Sequence, residues 1–267
     1  MADITQLERH LAGLGRVLLG YSGGVDSALL GVVGARTLGP KGFLAVMGIS
    51  PSYPEAQRRQ ARDLACRFSI PSLEIETHEL DDPRYASNPT NRCYFCKNEL
   101  WLRLRPLAAS RGFDTVIDGT NADDLGEHRP GARAADERGV RSPLAELGWT
   151  KPAVRGAARD LGIPIWDAPA QPCLASRIRY GLEVTPQRLK QVEEAEEFLR
   201  GVGVRGNLRV RHLGSLARIE VDGPGQDLLR QRWAEVARSL GGLGFLQVEL
   251  DPAGYRRGGL LVLEGAA

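Results

Sequence analysis

Ser22-Gly23-Gly24-Val25-Asp26-Ser27 is the segment whose residue types and spacing most directly specify chemistry. Adjacent glycines let a backbone approach an anion closely, and a helix beginning just after them adds its amides and the positive end of its dipole. Ser22 and Ser27 supply hydroxyl donors, and Asp26 is placed to hold Mg²⁺ against bound phosphates. The loop has no Walker A lysine and does not match G-x-G-x-x-G, so neither of those nucleotide sites is implied. An N-capped helix after a tight turn is the plainer alternative. The complete hexapeptide at a strand-to-helix junction outweighs it.

Thiols form the second constellation. Cys93-Tyr94-Phe95-Cys96 sets two of them three residues apart at the start of a helix, hence on one face, where the terminus favours the thiolate. Cys173 lies in Pro172-Cys173-Leu174-Ala175-Ser176-Arg177, an aperiodic segment, beside a basic residue. Three cysteines can hold three irons of a [4Fe-4S] cluster and leave the fourth open to an external sulfur. A zinc ion completed by His78 or His128, or a Cys93–Cys96 disulfide, stays open on spacing alone. Cys66, flanked by Leu64, Ala65 and Phe68, reads as a core thiol. Arg209 and Arg211 alternate on one face of an expected strand, suited either to forking onto a phosphate or to lining a solvated face. Glu193, Glu194, Glu196 and Glu197 read as a solvated helix face, and His212 as structural.

The elements that must position these groups alternate. Residues 16–21, 42–49, 72–76 and 114–118 read as strands, and 27–37, 54–68, 94–110 and 151–161 as helices, with a short strand at Ile163–Trp166. That order implies an α/β fold, a doubly wound parallel sheet with helices on both faces. Gly126–Val140 is polar and rich in Gly and Arg, and Asp167–Gly181 has no periodicity. From Thr185 the pattern changes to helix (to about Leu199), strands Leu208–His212 and Ala217–Val221, helix Gln226–Leu240, then strands Phe245–Leu250 and Gly259–Leu263. This suggests a small C-terminal α+β domain with a mostly antiparallel sheet. The expected division is 1–180 and 181–267.

With 267 residues, 42% hydrophobic and 25% charged, the chain can bury a sizeable core without staples. A net charge of +2 argues against a nucleic-acid or membrane partner, although 31 of the 35 basic residues are Arg. There is no long apolar run and no basic-then-apolar start, so a transmembrane helix and a secretory signal are not expected, and the four cysteines are too few for a disulfide scaffold; a cytoplasmic protein is expected.

Ser22–Ser27 resembles the SGGxDS signature of the PP-loop ATP pyrophosphatases, whose fold is of the adenine nucleotide alpha hydrolase-like type. Asp118-Gly119-Thr120-Asn121-Ala122-Asp123-Asp124 falls at the carboxyl end of the fourth strand, the edge along which open α/β sheets bind ligands. Behind that loop, Asn91–Lys97 and Cys173–Ile178 resemble LarE, the pyridinium-3,5-biscarboxylic acid mononucleotide sulfurtransferases of nickel-pincer cofactor biosynthesis, over residues 1–265. The resemblance implies ATP and Mg²⁺ held by Ser22, Gly23, Gly24, Asp26, Ser27 and Asp124, and substrate held by Ser176, Arg177, Arg209 and Arg211. It implies a metal-binding carboxylate at Glu197, with Glu220 or Asp222 nearby, and a homo-oligomer served by sulfide or another sulfur donor. One kind of LarE sacrifices the cysteine matching Cys173; the other, which this chain resembles, adds the pair matching Cys93 and Cys96 to carry a [4Fe-4S] cluster that relays sulfide. A PP-loop tRNA thiolase and a non-catalytic ATP or redox sensor are the rival readings.

Overall fold

The computed structural model describes residues 3–126, 130–169 and 171–256. Asp3 starts the first helix, α1 (Ile4–Ala12), by accepting the Thr5 amide on its carboxylate at 2.9 Å. This helix was not expected from the sequence. There follow β1 (Val17–Gly20), α2 (Val25–Gly42, broken at Gly39), β2 (Phe43–Ile49), α3 (Glu55–Arg67), β3 (Ser72–Glu76), α4 (Pro83–Ala86) and α5 (Arg92–Ser110). Then come β4 (Thr115–Ile117), α6 (Pro130–Glu137), α7 (Pro143–Glu146) and α8 (Lys151–Asp160). The strands form one parallel sheet in the order β3-β2-β1-β4, with Val17 opposite both Phe43 and Thr115.

β1 is short and almost wholly apolar because helices cover it on both sides. Val17 and Leu19 join a core with Leu7, Leu29 and Val154; Leu18 points the other way, into Val46, Trp101 and Leu104. Each such buried side chain contributes roughly 1.5–3 kcal/mol. Both helical layers therefore press on the strand that delivers the Ser22–Ser27 loop.

The chain divides into two units. The first holds the residues up to Asp82 together with Asn91–Gln171; the second holds Pro83–Thr90 and the chain from Pro172 onward. The division thus falls ahead of residue 180, and a short earlier segment joins the second unit. Asn88 is the physical reason. Fully buried, and with a left-handed backbone at φ 56°, it donates its amide to the carbonyls of Ile178, Arg179 and Leu182 at 3.2, 2.7 and 3.0 Å.

In the second unit, Thr185 caps α9 (Pro186–Val202), and left-handed Gly203 ends it. β5 (Leu208–His212), β6 (Leu216–Val221), α10 (Gly223–Gln231), α11 (Trp233–Gly242) and β7 (Gln247–Leu250) complete it. The expected mostly antiparallel sheet is corrected: β5 and β6 are antiparallel, but β7 runs parallel to β6. The intervening helices make a crossover long enough for a parallel return. Arg232 divides the expected single helix 226–240 in two. Expected strand Gly259–Leu263 lies outside the described residues.

One further expectation changes in the first unit. Ile163–Trp166 is a turn, not a strand: Pro164 has no amide to give a ladder, and the Trp166 amide closes back on the Ile163 carbonyl at 3.2 Å. The polar stretch after Gly126 contains α6, whose Ala134 and Ala135 pack with Trp101 and Leu104 of α5.

Candidate active site

Side chains set the backbone orientation of the Ser22–Ser27 loop. The Ser22 carbonyl accepts from the Tyr53 hydroxyl at 2.9 Å and from the buried Gln57 amide at 2.8 Å, and the Gly23 carbonyl accepts from Gln60 at 3.2 Å. In a trans peptide the N–H points opposite to the C=O, so each carbonyl drawn toward these side chains turns the next amide away from them. Burial holds the Tyr53 phenol above its usual range, so it stays a donor. Gly23 has φ 68°, and a Cβ there would lie 2.5 Å from the Ala61 Cβ. Gly24 caps α2 without a side chain, and Ser27 donates to its carbonyl at 3.0 Å. The two serine hydroxyls are 3.1 Å apart. The first amides of α2 thus carry no side-chain cap, and the Ser22 and Ser27 hydroxyls lie together at that end, a set of donors suited to an anion.

The end of β4 meets this loop. A Cβ on Gly119 would come within 3.1 Å of the Ser27 amide, tighter than ordinary contact, so glycine eases that approach. Asp118 accepts from the Thr120 amide and hydroxyl and from the Ser142 hydroxyl, at 3.0, 2.8 and 2.8 Å, which fixes the turn after the strand. Asn121 donates to Asp26 at 3.2 Å, and the Lys151 aminium reaches the other oxygen of Asp26 at 2.5 Å. Asp124 accepts the Asn121 amide at 3.1 Å, and Asp123 accepts the Lys151 amide at 2.7 Å. Asp26 and Asp124 thus belong to one network around the loop. Lys151, Asn121, Gln57 and Tyr53 were missed as site residues. Only Lys151 carried a signal: a cation in the first turn of a helix opposes the dipole.

Cys93 and Cys96 stand in the first turn of α5, exposed and half-buried, and no disulfide forms among the described residues. The Tyr94 hydroxyl donates to Glu137 at 2.5 Å, tying this turn to α6. Cys66 is exposed, which corrects its placement in the core: α3 buries Gln57, Ala61, Leu64 and Ala65, and the next position turns out to solvent. His78 lies 3.9 Å from Asp81; His128 is outside the described residues.

In the second unit, Cys173 is half-buried and precedes a single helical turn, Leu174–Arg177. Arg177 is turned inward and buried. It grips Glu196 with two nitrogens at 3.0 Å each and donates to the Pro172 and Cys173 carbonyls and the Ser176 hydroxyl at 2.5, 3.0 and 3.1 Å. It shapes the Cys173 turn. Arg209 and Arg211 are buried, not on a solvated face. Arg211 pairs with buried Glu220 at 2.7 Å and donates to the Ser176 carbonyl at 3.1 Å, leaving its buried Nε without a hydrogen-bond partner. Arg209 lies over the Tyr255 ring, and burial, with Arg177 nearby, pulls it down to about 10. Glu196, not Glu197, faces these cations; Glu197 is exposed on α9, and Asp222 is engaged by Asn207. Among the described residues no three His, Cys, Asp or Glu side chains gather to hold a metal ion, so Glu197, Glu220 and Asp222 are not brought together as one. His212 is buried against Phe245 and bonded to Gln191 at 3.0 Å, and burial draws it down to about 4, as befits a structural residue.

Comparison with known proteins adds to this geometry. The NAD synthase family matches residues 4–109. An uncharacterized protein of Synechocystis sp. is 43% identical over 97% of both chains, and one of Methanocaldococcus jannaschii is 31% identical over 90% of this chain and 91% of its own. The pyridinium-3,5-bisthiocarboxylic acid mononucleotide synthase of Lactiplantibacillus plantarum is 33% identical over 93% of this chain and 90% of its own. The chain belongs to the LarE family. The glycine loop of this LarE chain lies at the carboxyl edge of a parallel sheet, the edge along which open α/β sheets bind ligands. No helix among the described residues of this LarE chain is long and apolar enough to cross a membrane.

Proposed function

We propose that the protein is an ATP-dependent sulfurtransferase that adenylates the carboxylates of pyridinium-3,5-biscarboxylic acid mononucleotide and converts them to thiocarboxylates, serving nickel-pincer cofactor biosynthesis. The observation that carries this reading is the glycine loop, its Ser22 carbonyl held back by Tyr53 and Gln57 and its helix start uncapped, in a chain 33% identical to a bisthiocarboxylate synthase. A carboxylate is a poor electrophile, because displacement would expel oxide. In the first step a carboxylate oxygen bonds to the α-phosphorus of ATP, the α–β bridging bond breaks, and its electron pair leaves on pyrophosphate. The loop amides of Gly23 and Gly24, the hydroxyls of Ser22 and Ser27 and the Mg²⁺ that Asp26 and Asp124 would hold stabilise that leaving group. Sulfide then bonds to the acyl carbon, the carbon–oxygen bond to phosphate breaks, and AMP departs with the electron pair, leaving the thiocarboxylate.

The chemistry of three thiols, rather than an assembled donor set, supports an iron–sulfur cluster, since among the described residues no three His, Cys, Asp or Glu side chains gather. Cys93 and Cys96 share one face of a helix start, the geometry that favours two thiolates, and Cys173 supplies a third. Bound by these three, a [4Fe-4S] cluster would keep one iron for the sulfide that the reaction consumes. Arg177 orients the Cys173 turn, and the buried guanidiniums of Arg209 and Arg211, with Ser176, are the groups that would meet the substrate's phosphate. The test is an anaerobic purification with iron and sulfide counted per chain, together with pyrophosphate release on adding the dicarboxylate mononucleotide. Roughly four irons, lost when Cys93, Cys96 or Cys173 becomes Ala, is the expected result. No iron with a single turnover leaves Cys173 as a sacrificial donor. Release that ignores the dicarboxylate but responds to tRNA makes the protein a thiolase, and no release in either case makes it a sensor.

A further inference from the structure

Past the end of the ladder between β2 and β3, where the Thr77 amide meets the Ile49 carbonyl at 2.9 Å, a pair of side chains joins the two segments again. The Ser50 hydroxyl donates to the Glu79 carboxylate at 2.5 Å. Glu79 opens a single 3₁₀ turn (Glu79–Asp81) and is buried, at 3% exposure. Joining the strands does not account for a carboxylate there, because the ladder already joins them and burying a charge is costly. What the bond fixes is the direction of the Ser50 hydroxyl, which has one hydrogen to give. With that hydrogen on Glu79, the Ser50 oxygen accepts the Ser52 amide at 3.2 Å, and the Tyr53 amide closes on the Ser50 carbonyl at 3.0 Å. Pro51 holds the second position of this Ser50–Tyr53 turn.

We propose that Glu79 is a positioning residue of the Ser22–Ser27 loop, acting through this turn without touching a ligand. The inference rests on the ATP reading above and deepens it. The turn places two donors on one acceptor. Tyr53 leaves its last position and reaches the Ser22 carbonyl at 2.9 Å, and α3 begins two residues later and brings Gln57 to the same carbonyl at 2.8 Å. Because the peptide is planar, a Ser22 carbonyl that swings carries the Gly23 amide with it. The carboxylate is itself anchored: Glu99 of α5 takes the amide of His78, the residue before it, at 3.1 Å. A buried acid at the end of β3 thus sets the aim of a loop that follows β1, two strands away in the sheet.

Titration calorimetry of ATP with Mg²⁺ into the full chain tests this. Glu79→Ala is expected to weaken binding about tenfold, the worth of one hydrogen bond to a charged group. Glu79→Gln, whose side-chain carbonyl still accepts the Ser50 hydroxyl, is expected to restore most of it. Tyr53→Phe is expected to cost a similar factor, and the double variant Glu79→Ala with Tyr53→Phe to bind only slightly worse than either alone, because both changes release the same carbonyl. Wild-type affinity in a folded Glu79→Ala variant overturns the inference, and so do losses that simply multiply in the double variant. If Glu79→Ala does not fold, Ser50→Ala carries the same test: it should lose affinity, and wild-type binding by it overturns the proposal. Failure of the ATP reading looks different. The wild type itself then binds no ATP, which overturns both.

Discussion

The Ser22–Ser27 loop of the first unit and the guanidinium cluster of the second gather hydrogen-bond donors by opposite means. In the loop, positive potential comes from backbone amides turned outward, and most side chains serve to hold the carbonyls back. In the second unit it comes from whole charges: Arg177, Arg209 and Arg211 are buried with Glu196 and Glu220 between them, three cations to two carboxylates. Amide dipoles cost little to bury because the helix and sheet already require them. Buried ions are costly, and removing one partner leaves the other unpaired. The first region should therefore tolerate loss of a charge with loss of binding; the second should lose its fold.

The sharpest way to break this contrast is Glu220→Gln. With Arg211 left charged and 5% exposed, unfolding in urea is expected to lose about 4 kcal/mol. The double change Arg211→Met with Glu220→Leu should recover most of it, and a Glu220→Gln protein as stable as wild type would refute the description of the cluster. His212 gives the next largest effect. Its folded value of about 4 lies below the ordinary 6.5, so its protonation favours the unfolded chain. The stability it contributes is complete above pH 6.5 and falls away as pH drops toward 4, in total about 3 kcal/mol. His212→Gln should flatten stability across that window; an unaltered slope would show that another group sets it. Gly23→Ala acts in the loop. Its positive φ and the nearby Ala61 make it strained, by about 2 kcal/mol, and ATP affinity should fall while the melting temperature shifts by only a few degrees. Retained ATP binding would mean that the turn is not what aims the amides.

Much of the first unit was legible because its signals are local. Apolar runs predict β1, β2 and β4 nearly to the residue, since a strand buried on both faces has to read as Val, Leu and Ile, while the edge strand β3 alternates polar with apolar. The turn at Ile163–Trp166 deceived for the same reason: apolar content marks burial, and only the proline argues against a ladder. Arg177 and Glu197 illustrate the second unit. Composition cannot tell which of two neighbouring glutamates turns inward; the packing of α9 on β5 selects Glu196, which then claims Arg177 and the Val210 amide.

Sequence by itself determined the glycine loop, its serines and Asp26, the strand before and the helix after, and the thiol pair of α5, because each depends on neighbours within a few residues. Tertiary structure alone decided that Tyr53, Gln57 and Gln60 aim the loop, that Asn88 brings Pro83–Thr90 into the second unit, and that Lys151 faces Asp26. Those contacts join residues from 31 to 125 positions apart, and no local propensity encodes them. They exist because a parallel sheet carries the ends of distant strands to one edge, where their side chains complete each other's hydrogen bonds.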